Sequence, residues 1–300
     1  MNPGAHTVMR SKRPAIGHRR GSLLEALRGG LCVALLLSSA LVCAADGVAA
    51  PRLLIFGEQH DQPDQQRQVA AALQELAGRG QLAAVVLEMA EVPHNTTALP
   101  RDATESAVRA ALQWQGWPWD AYADVIMSAV RAGVPVWGGN LPRSAMRAAM
   151  ADAQLDTRIG AAAREALREA VRSGHCDLLP TQQEPGMVRI QIARDQSMAK
   201  VVDTVARQVK ADGGVVLLLT GRLHAARDRG VPVHLLASPH WAADDIQVIL
   251  FGPSESSSMA DVWRPATVTP QPDYCAQLRQ SIESKAAAQS GSAASAPPAR

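Results

Sequence analysis

Five short apolar runs divide this chain, and they constrain its fold more than any other feature of the sequence. None alternates apolar with polar residues, which is typical of strands buried on both faces of a sheet. Segments with helical spacing of apolar residues separate the runs, and such alternation predicts a single α/β domain with a mostly parallel sheet flanked by helices. The runs are "RLLIF" (52–56), "LAAVVLEM" (82–89), "VPVWG" (134–138), "GVVLLL" (214–219) and "DIQVILF" (245–251).

Ionisable side chains occur where three of these runs leave the core. Glu58 and His60 follow the first run, Glu88 lies in the second, and His224 follows the fourth. Ligands of open α/β sheets bind beyond the carboxyl ends of the strands, so we expect these groups to meet in one crevice. The same edge is predicted to carry the supporting residues Gly57, Asn140, Arg143 and Gly221.

Two imidazoles with one or two carboxylates can do more than one kind of chemistry. They suit a transition metal, or they can serve as acid and base. Each of them taken alone is more typical of a hydrogen-bonded structural residue. Their matching positions at the strand ends favour a shared functional site.

One carboxylate is predicted on an apolar helix face. Asp195 lies on the same stripe as Ile192 and Val202, and an unpaired carboxylate there would cost several kcal/mol. We therefore expect a buried partner for Asp195, with a direct ligand role as the alternative. Its neighbour Arg194 similarly lies between apolar positions.

An aromatic cluster follows the second run. The segment "WQGWPWDAY" contains Trp114, Trp117, Trp119 and Tyr122, and Gly116 with Pro118 interrupts the helical pattern. These side chains could form ordinary core, or they could form an apolar wall for a flat ligand or a dimer contact.

The ends of the chain differ from the middle. Residues 1–45 combine a basic start, a short apolar run and small residues, which predicts a signal peptide and export to the periplasm. Lipoprotein anchoring through Cys43 is the alternative, although Val42 precedes it where Gly or Ala is usual. We predict the domain over 50–280 and a disordered low-complexity tail over 281–300.

Charge and motifs exclude several function classes. The predicted signal peptide, residues 1–45, carries six Arg or Lys residues and one Glu. The formal net charge of the chain therefore changes from +2 to −3 once this segment is removed. Without a basic stripe interleaved with aromatics, nucleic-acid binding is not expected. The sequence also lacks the GxSxG, GxxxxGK[ST], HExxH and GxGxxG motifs of serine hydrolases, P-loop proteins, zincins and dinucleotide-binding proteins.

Two cysteines remain outside the leader region, Cys176 and Cys275. In an oxidising compartment the simplest outcome is a disulfide between them, which would attach "PDYCAQL" to the body of the domain. A reactive or metal-binding thiol pair is disfavoured because no CxxC spacing is present.

Five segments, in order, resemble the ChaN-type haem-binding uptake proteins of the Tiki superfamily. The resemblance covers about residues 50–250. The segments are "LLIFGEQHDQPDQQ", "VVLEM", "WDAYADVIMSAVRAGVPVWGGNLPR", "QIARDQSMA" and "LLLTGRLHAARDRGVPVHL".

This resemblance implies an exported haem- or iron-binding protein with an α/β fold. The family prototype binds two stacked haems at a dimer interface, through tyrosine and histidine. Carried over residue by residue, His60 or His224 would ligate iron, with Tyr122 as a better match than Tyr274 for the tyrosine. Trp117 and Trp119 would wall the haem, and Arg143 or Arg222 would pair with propionate. The family's motif positions are also occupied by Glu58, Glu88, Asn140, Arg194, Asp195 and Gly221.

Three hypotheses follow from the resemblance. The leading one is a non-catalytic haem-binding protein that forms a homodimer and meets an outer-membrane haem receptor. The second is a metal-dependent hydrolase, in which His60 and His224 bind Mn, Co or Zn with Glu58 and Glu88, and one of the glutamates activates water. The third is a structural partner of such a receptor, in which the strand-end residues only stabilise the fold.

Overall fold

The structure is a computed structural model that describes residues 50–209, 214–252 and 258–294. The predicted signal peptide and Cys43 lie outside these residues. In the described part, one six-stranded sheet has the order β3-β2-β4-β1-β5-β6, and every pairing is parallel. The predicted fold class is therefore confirmed. The strands are β1 (Leu53–Glu58), β2 (Leu82–Glu91), β3 (Val136–Asn140), β4 (Val215–Gly221), β5 (Ile246–Phe251) and β6 (Val262–Arg264).

Helices occupy the connections from β1 to β5, and one further helix follows β6. In the described residues they are α1 (Pro63–Gly78), α2 (Glu105–Ala111), α3 (Trp119–Ala132), α4 (Met146–Ala151), α5 (Ala161–Gly174), α6 (Glu184–Gln208), α7 (Arg222–Ala225), α8 (Val231–Leu236) and α9 (Tyr274–Ala294), with 3₁₀ turns at Arg143–Ala145, Ala153–Thr157 and Ala243–Asp245.

The two faces of the sheet carry separate apolar cores. On one face α1 and α3 pack through residues such as Leu73 and Ile126, and on the other α6 and α8 pack through Val202 and Leu235. Successive residues of a strand point to opposite faces, so a strand buried on both sides needs apolar residues at nearly every position. This requirement explains the unbroken apolar runs of the sequence.

The crevice at the carboxyl edge follows from the direction of two connections. The chain after β1 forms α1 on one face, whereas the chain after β4 leads to α8 on the other face. Because β1 and β4 are neighbours in the sheet, the segments that follow them diverge to opposite faces and leave a crevice at the two strand ends. This is the topological switch point at which α/β proteins bind ligands.

A disulfide joins the far end of the chain to the domain, as predicted. Cys176, just beyond α5, is bonded to Cys275 at the start of α9. Helix α9 continues to Ala294 and so overlaps the stretch for which composition predicts a disordered tail; the tail stays a prediction. Among the described helices, none combines the length and apolar character that crossing a bilayer requires.

Gly57 should be intolerant of any side chain, because α7 and β5 approach β1 closely. A Cβ at this position would lie 2.4 Å from both Ala225 Cβ and Leu250 Cδ2. We expect Gly57→Ala to lower the free energy of unfolding by about 1–3 kcal/mol, measured by urea denaturation.

Gly78→Ala is the matched control. Gly78 ends α1, and a Cβ there meets nothing within 4 Å. That substitution should leave stability unchanged or raise it by up to about 1 kcal/mol. Equal effects of the two substitutions would contradict the close packing around Gly57.

Candidate functional site

Glu58 is the last residue of β1, and its buried carboxylate holds two side chains in place. Its Oε1 accepts a hydrogen bond from the Tyr122 hydroxyl at 2.7 Å and one from His60 Nδ1 at 2.9 Å. Tyr122 comes from α3 and is fully buried. Burial and the neighbouring Glu58 raise the pKa of Tyr122, so the phenol stays protonated. Glu58 therefore fixes the orientation of the His60 ring.

Glu88, near the end of β2, lies at the centre of the site. Its Oε1 accepts a hydrogen bond from Arg194 Nη2 at 2.5 Å. Its Oε2 accepts hydrogen bonds from Thr220 Oγ1 at 2.5 Å and from the Gly221 N–H at 2.6 Å. Both carboxylate oxygens are thus engaged by donors from α6 and β4.

The two imidazoles approach this carboxylate from different strands. His224 Nε2 lies 3.7 Å from Glu88 Oε1, and His60 Nε2 lies 3.9 Å from the same atom. Burial by itself would raise the pKa of Glu88, but His224, Arg194 and His60 outweigh it and hold that pKa at about 2. Burial by itself would lower the pKa of His60. The hydrogen bond to Glu58 and the negative charge of Glu88 outweigh burial, so the pKa of His60 is raised.

Asp195 of α6 has the buried partner that its sequence position predicts. Its Oδ1 lies 2.6 Å from His224 Nδ1, and both side chains are almost fully enclosed. Burial raises the pKa of Asp195 to about 6, although His224 opposes the shift. The adjacent Arg194 donates from Nε to Asn140 Oδ1 at 3.0 Å, which attaches the end of β3 to the same network.

Each imidazole therefore has one nitrogen held by a carboxylate and the other directed towards Glu88. The structure brings together residues from four strands and α6, as expected from their strand-end positions. The set is Glu58, His60, Glu88, Asn140, Arg194, Asp195, Gly221 and His224.

A metal centre is not among the features of this cluster. In residues 50–209, 214–252 and 258–294, no group of three or more His, Cys, Asp or Glu side chains is placed to hold a metal ion. The physical reason lies in Glu88, whose oxygens already accept bonds from Arg194, Thr220 and Gly221. The guanidinium of Arg194 already supplies the positive charge that pairs with Glu88. The predicted Mn, Co or Zn site therefore gains no support.

The aromatic cluster divides between core and surface. Trp119 is buried, and its Nε1 donates to Glu105 Oε2 at 2.9 Å, so it belongs to the core. Trp117 is half-buried, and its ring centroid lies 4.5 Å from that of His60. Trp114 donates from Nε1 to the Trp117 carbonyl at 3.0 Å, which shapes the loop before α3. Trp119 is therefore core, whereas Trp117 is left accessible, and a contact of the cluster with a flat ligand or a second copy stays a prediction.

A cavity of about 180 Å³ opens beside this cluster. Arg143, whose side chain is 60% exposed, lies at its wall against Gly116. His94 and Met146 also line it, and sequence reasoning missed both because neither lies in a recognisable motif. The only available signal for His94 was its place shortly after β2. The other lining residues include Glu88, Glu91, Gln113, Gln115, Trp117, Asn140 and Arg194.

The structure separates the residues predicted to contact haem into two groups. His60, with 31% of its side chain exposed, is accessible together with Trp117 and Arg143. Tyr122, Trp119 and His224 are buried, so direct contact with a porphyrin is not open to them in this conformation. Arg222, the other predicted propionate partner, lies with its guanidinium 5.0 Å from the centroid of the Trp263 ring.

The fold and the site define an α/β protein with a polar crevice at its topological switch point. The family "Haem-binding uptake, Tiki superfamily, ChaN" matches residues 44–235, which is more than half of the chain. The chain belongs to this family, and the resemblance seen in the sequence is confirmed. Among curated proteins, none matches the chain in sequence.

One solved structure supports the fold. A structure described as cofacial heme binding to ChaN of Campylobacter jejuni superposes with a TM-score of 0.58 at 21% identity, covering 71% of this chain and 86% of that one. At that identity the likeness shows the fold alone. An open-conformation variant of the erythromycin esterase EreC has a TM-score of 0.41 at 15% identity, covering 71% and 75%. That similarity is too low to support the hydrolase hypothesis.

Glu88→Gln should strongly destabilise the protein. The amide keeps the size of the side chain but cannot neutralise Arg194, which is mostly buried. Breaking a buried ion pair in this way costs about 3–5 kcal/mol, and urea denaturation at pH 7 would measure it. The exposed pair of Glu75 and Arg79 supplies the control, since Glu75→Gln should cost less than about 0.5 kcal/mol.

The pH dependence of this effect follows from the lowered pKa of Glu88. The pKa falls from 4.5 to about 2 on folding, so the stabilisation is complete above pH 4.5 and is lost as the pH falls towards 2. The difference in stability between the wild type and Glu88→Gln should therefore shrink between pH 5 and pH 3. An unchanged difference would show that the carboxylate charge is not the stabilising feature.

Proposed function

We propose that this chain binds haem at the carboxyl edge of its sheet and takes part in haem or iron uptake. The match of residues 44–235 to the haem-binding uptake family carries this proposal. The site supports it with the side-chain types that haem binding uses, namely an imidazole, an aromatic wall and a cation.

His60 is the imidazole that suits an iron ligand best. It is partly exposed, whereas His224 is enclosed. Its Nδ1 is occupied by Glu58, which leaves Nε2 as the coordinating nitrogen, and a carboxylate on the other ring nitrogen orients a metal-binding histidine and makes it more basic. The 3.9 Å between His60 Nε2 and Glu88 Oε1 is too long for a hydrogen bond, so Glu88 does not hold this nitrogen.

Trp117 and Arg143 supply the remaining contacts. Trp117 packs against His60 and lines the cavity, where its ring can contact a flat macrocycle. The guanidinium of Arg143 is largely exposed at the same opening, with Glu91 Oε1 3.8 Å away. It can pair with a haem propionate without leaving a buried charge behind. His94, on the wall of this cavity, offers a second imidazole.

The size of the cavity supports a shared site. Cavities that enclose a small ligand usually measure about 300–1,000 Å³, and this one measures about 180 Å³. A porphyrin bound here would keep much of its apolar surface outside the protein. Covering that surface favours a second copy of the chain, so we include a homodimer in the proposal. Export to the periplasm and contact with an outer-membrane haem receptor belong to the same proposal.

Haem titration of the chain without its predicted leader tests the binding site. We expect a Soret band at stoichiometric haem. His60→Ala should weaken binding at least about tenfold because the iron ligand is lost, which corresponds to about 1.4 kcal/mol. Arg143→Gln should weaken it by no more than about fivefold, since an exposed ion pair contributes about 0.2–1 kcal/mol.

Matched substitutions elsewhere control for general effects. His240 and Arg67 are exposed and lie outside the cavity, so His240→Ala and Arg67→Gln should bind haem like the wild type. Absence of any spectral change with stoichiometric haem would refute the proposed function. An unchanged haem affinity of His60→Ala would instead show that another residue ligates the iron. His94→Ala would then be the informative variant.

Haem should also change the oligomeric state. If the second copy covers the exposed porphyrin, sedimentation velocity should show a monomer without haem and a dimer with it. A monomer at saturating haem would contradict the shared site, while leaving haem binding itself intact.

A further inference from the structure

The segment of residues 265–275, here named the C-terminal strap, runs alongside the loop that carries His60. Gln62 and Thr269 are joined reciprocally, because Thr269 N–H donates to Gln62 Oε1 at 2.8 Å and Gln62 Nε2 donates to the Thr269 carbonyl at 3.1 Å. The Tyr274 hydroxyl donates to Asp61 Oδ2 at 2.8 Å. Gln271 Nε2 donates to the Asp61 carbonyl, also at 2.8 Å.

Two more bonds continue this contact into α1. The Thr267 N–H donates to Asp64 Oδ2 at 2.8 Å, and Gln68 Nε2 donates to the Pro265 carbonyl at 2.9 Å. The strap therefore follows the chain from Asp61 to Gln68 without joining the sheet.

Little apolar burial keeps the strap in this position. Residues 267–274 are all exposed, and 71% of Val268 is accessible to solvent. Three prolines, at positions 265, 270 and 272, restrict the backbone and favour an extended form. Exposed hydrogen bonds contribute only modestly to stability, so a segment held mainly by them opens readily unless it is tied down.

The disulfide fixes the C-terminal end of the strap. Cys275 directly follows Tyr274 and is bonded to Cys176, just beyond α5. Beyond Cys275 the described side chains of α9 are almost all exposed, so the helix itself provides little attachment. With the disulfide intact, the strap is fixed at both ends, by β6 before it and by Cys176 after it.

The strap contacts the residues that flank His60. Asp61 and Gln62 directly follow His60, and both are bonded to the strap. On the N-terminal side of His60, Gln59 is held by α1, since its N–H donates to Gln65 Oε1 at 2.7 Å. The position of the His60 backbone thus depends on a loop whose second half is bonded to the strap.

We infer that the C-terminal strap is a disulfide-held positioning element for His60, and that reducing Cys176–Cys275 weakens ligand binding at the site. This inference rests on the proposed function. The step is ordinary reduction by a phosphine, which attacks one sulfur of the disulfide. Water then supplies the oxygen of the phosphine oxide and the protons, and two thiols are released.

The experiment compares oxidised protein with protein treated with tris(2-carboxyethyl)phosphine. Gallium(III) protoporphyrin IX, whose metal the phosphine does not reduce, is the probe in both arms. We expect reduction to weaken binding about tenfold, while the far-ultraviolet circular dichroism spectrum is retained. Hydrogen–deuterium exchange should increase in residues 59–68 and 265–275 and stay unchanged in β2 and β4. Unchanged affinity, or faster exchange in the strap alone, would overturn the inference.

A second variant breaks the contact without touching the disulfide. Thr269→Pro removes the N–H that bonds to Gln62 and should reproduce the loss of affinity in the oxidised protein. Gln277→Ala, at an exposed position of α9 beyond Cys275, should bind like the wild type. Wild-type affinity in Thr269→Pro would overturn the inference even if the reduced protein unfolds. If the oxidised protein binds neither haem nor the gallium probe, the proposed function fails. The hydrogen–deuterium exchange of residues 59–68 then shows independently whether the strap holds the loop, because it requires no ligand.

Discussion

The carboxylate of Glu88 is the interaction on which the rest of the site depends. It lies inside the protein at the end of β2, where an isolated charge would be very costly. Donors from α6 and β4 surround it, and both imidazoles turn a nitrogen towards it. Removing this one charge would leave Arg194 without its counter-ion. The convergence of three strands and one long helix is therefore an electrostatic arrangement as much as a packing one.

The distribution of partners also explains why the cluster is not organised as a metal centre. Both oxygens of Glu88 accept hydrogen bonds from the protein itself, from Arg194, Thr220 and Gly221, which directs this carboxylate to a guanidinium and not to a metal ion. Replacing Arg194 by a cation of another kind would require α6 to give up that bond. Within the described residues, the same side chains that suggest a metal site in the sequence thus form a hydrogen-bonded network around one arginine–glutamate pair.

Accessibility separates the inner part of the site from the outer part. Asp195, His224 and Tyr122 lie within the protein and hold other groups in place. The side chains of His60 and Arg143 are accessible to solvent, and Arg143 lines the cavity beside the cluster. The proposed haem site is therefore shallow, and a shallow site depends on how firmly its few contacting residues are held. This dependence gives the C-terminal strap its importance, because it is bonded to the loop that follows His60.

The sequence by itself determined the α/β class, the parallel sheet and the edge at which the site lies, because burial on both faces requires unbroken apolar runs and chain direction requires strand ends to share an edge. It also determined that Asp195 needs a partner and that two cysteines can pair. The short strand β6 escaped sequence reasoning, since three half-buried residues carry no apolar run. Only the tertiary structure decided that His224 is the partner of Asp195, that Tyr122 is enclosed while His60 is not, and that His94 faces the cavity. Those outcomes depend on contacts between residues tens of positions apart or more, and local spacing carries no information about which distant side chain fills a given space.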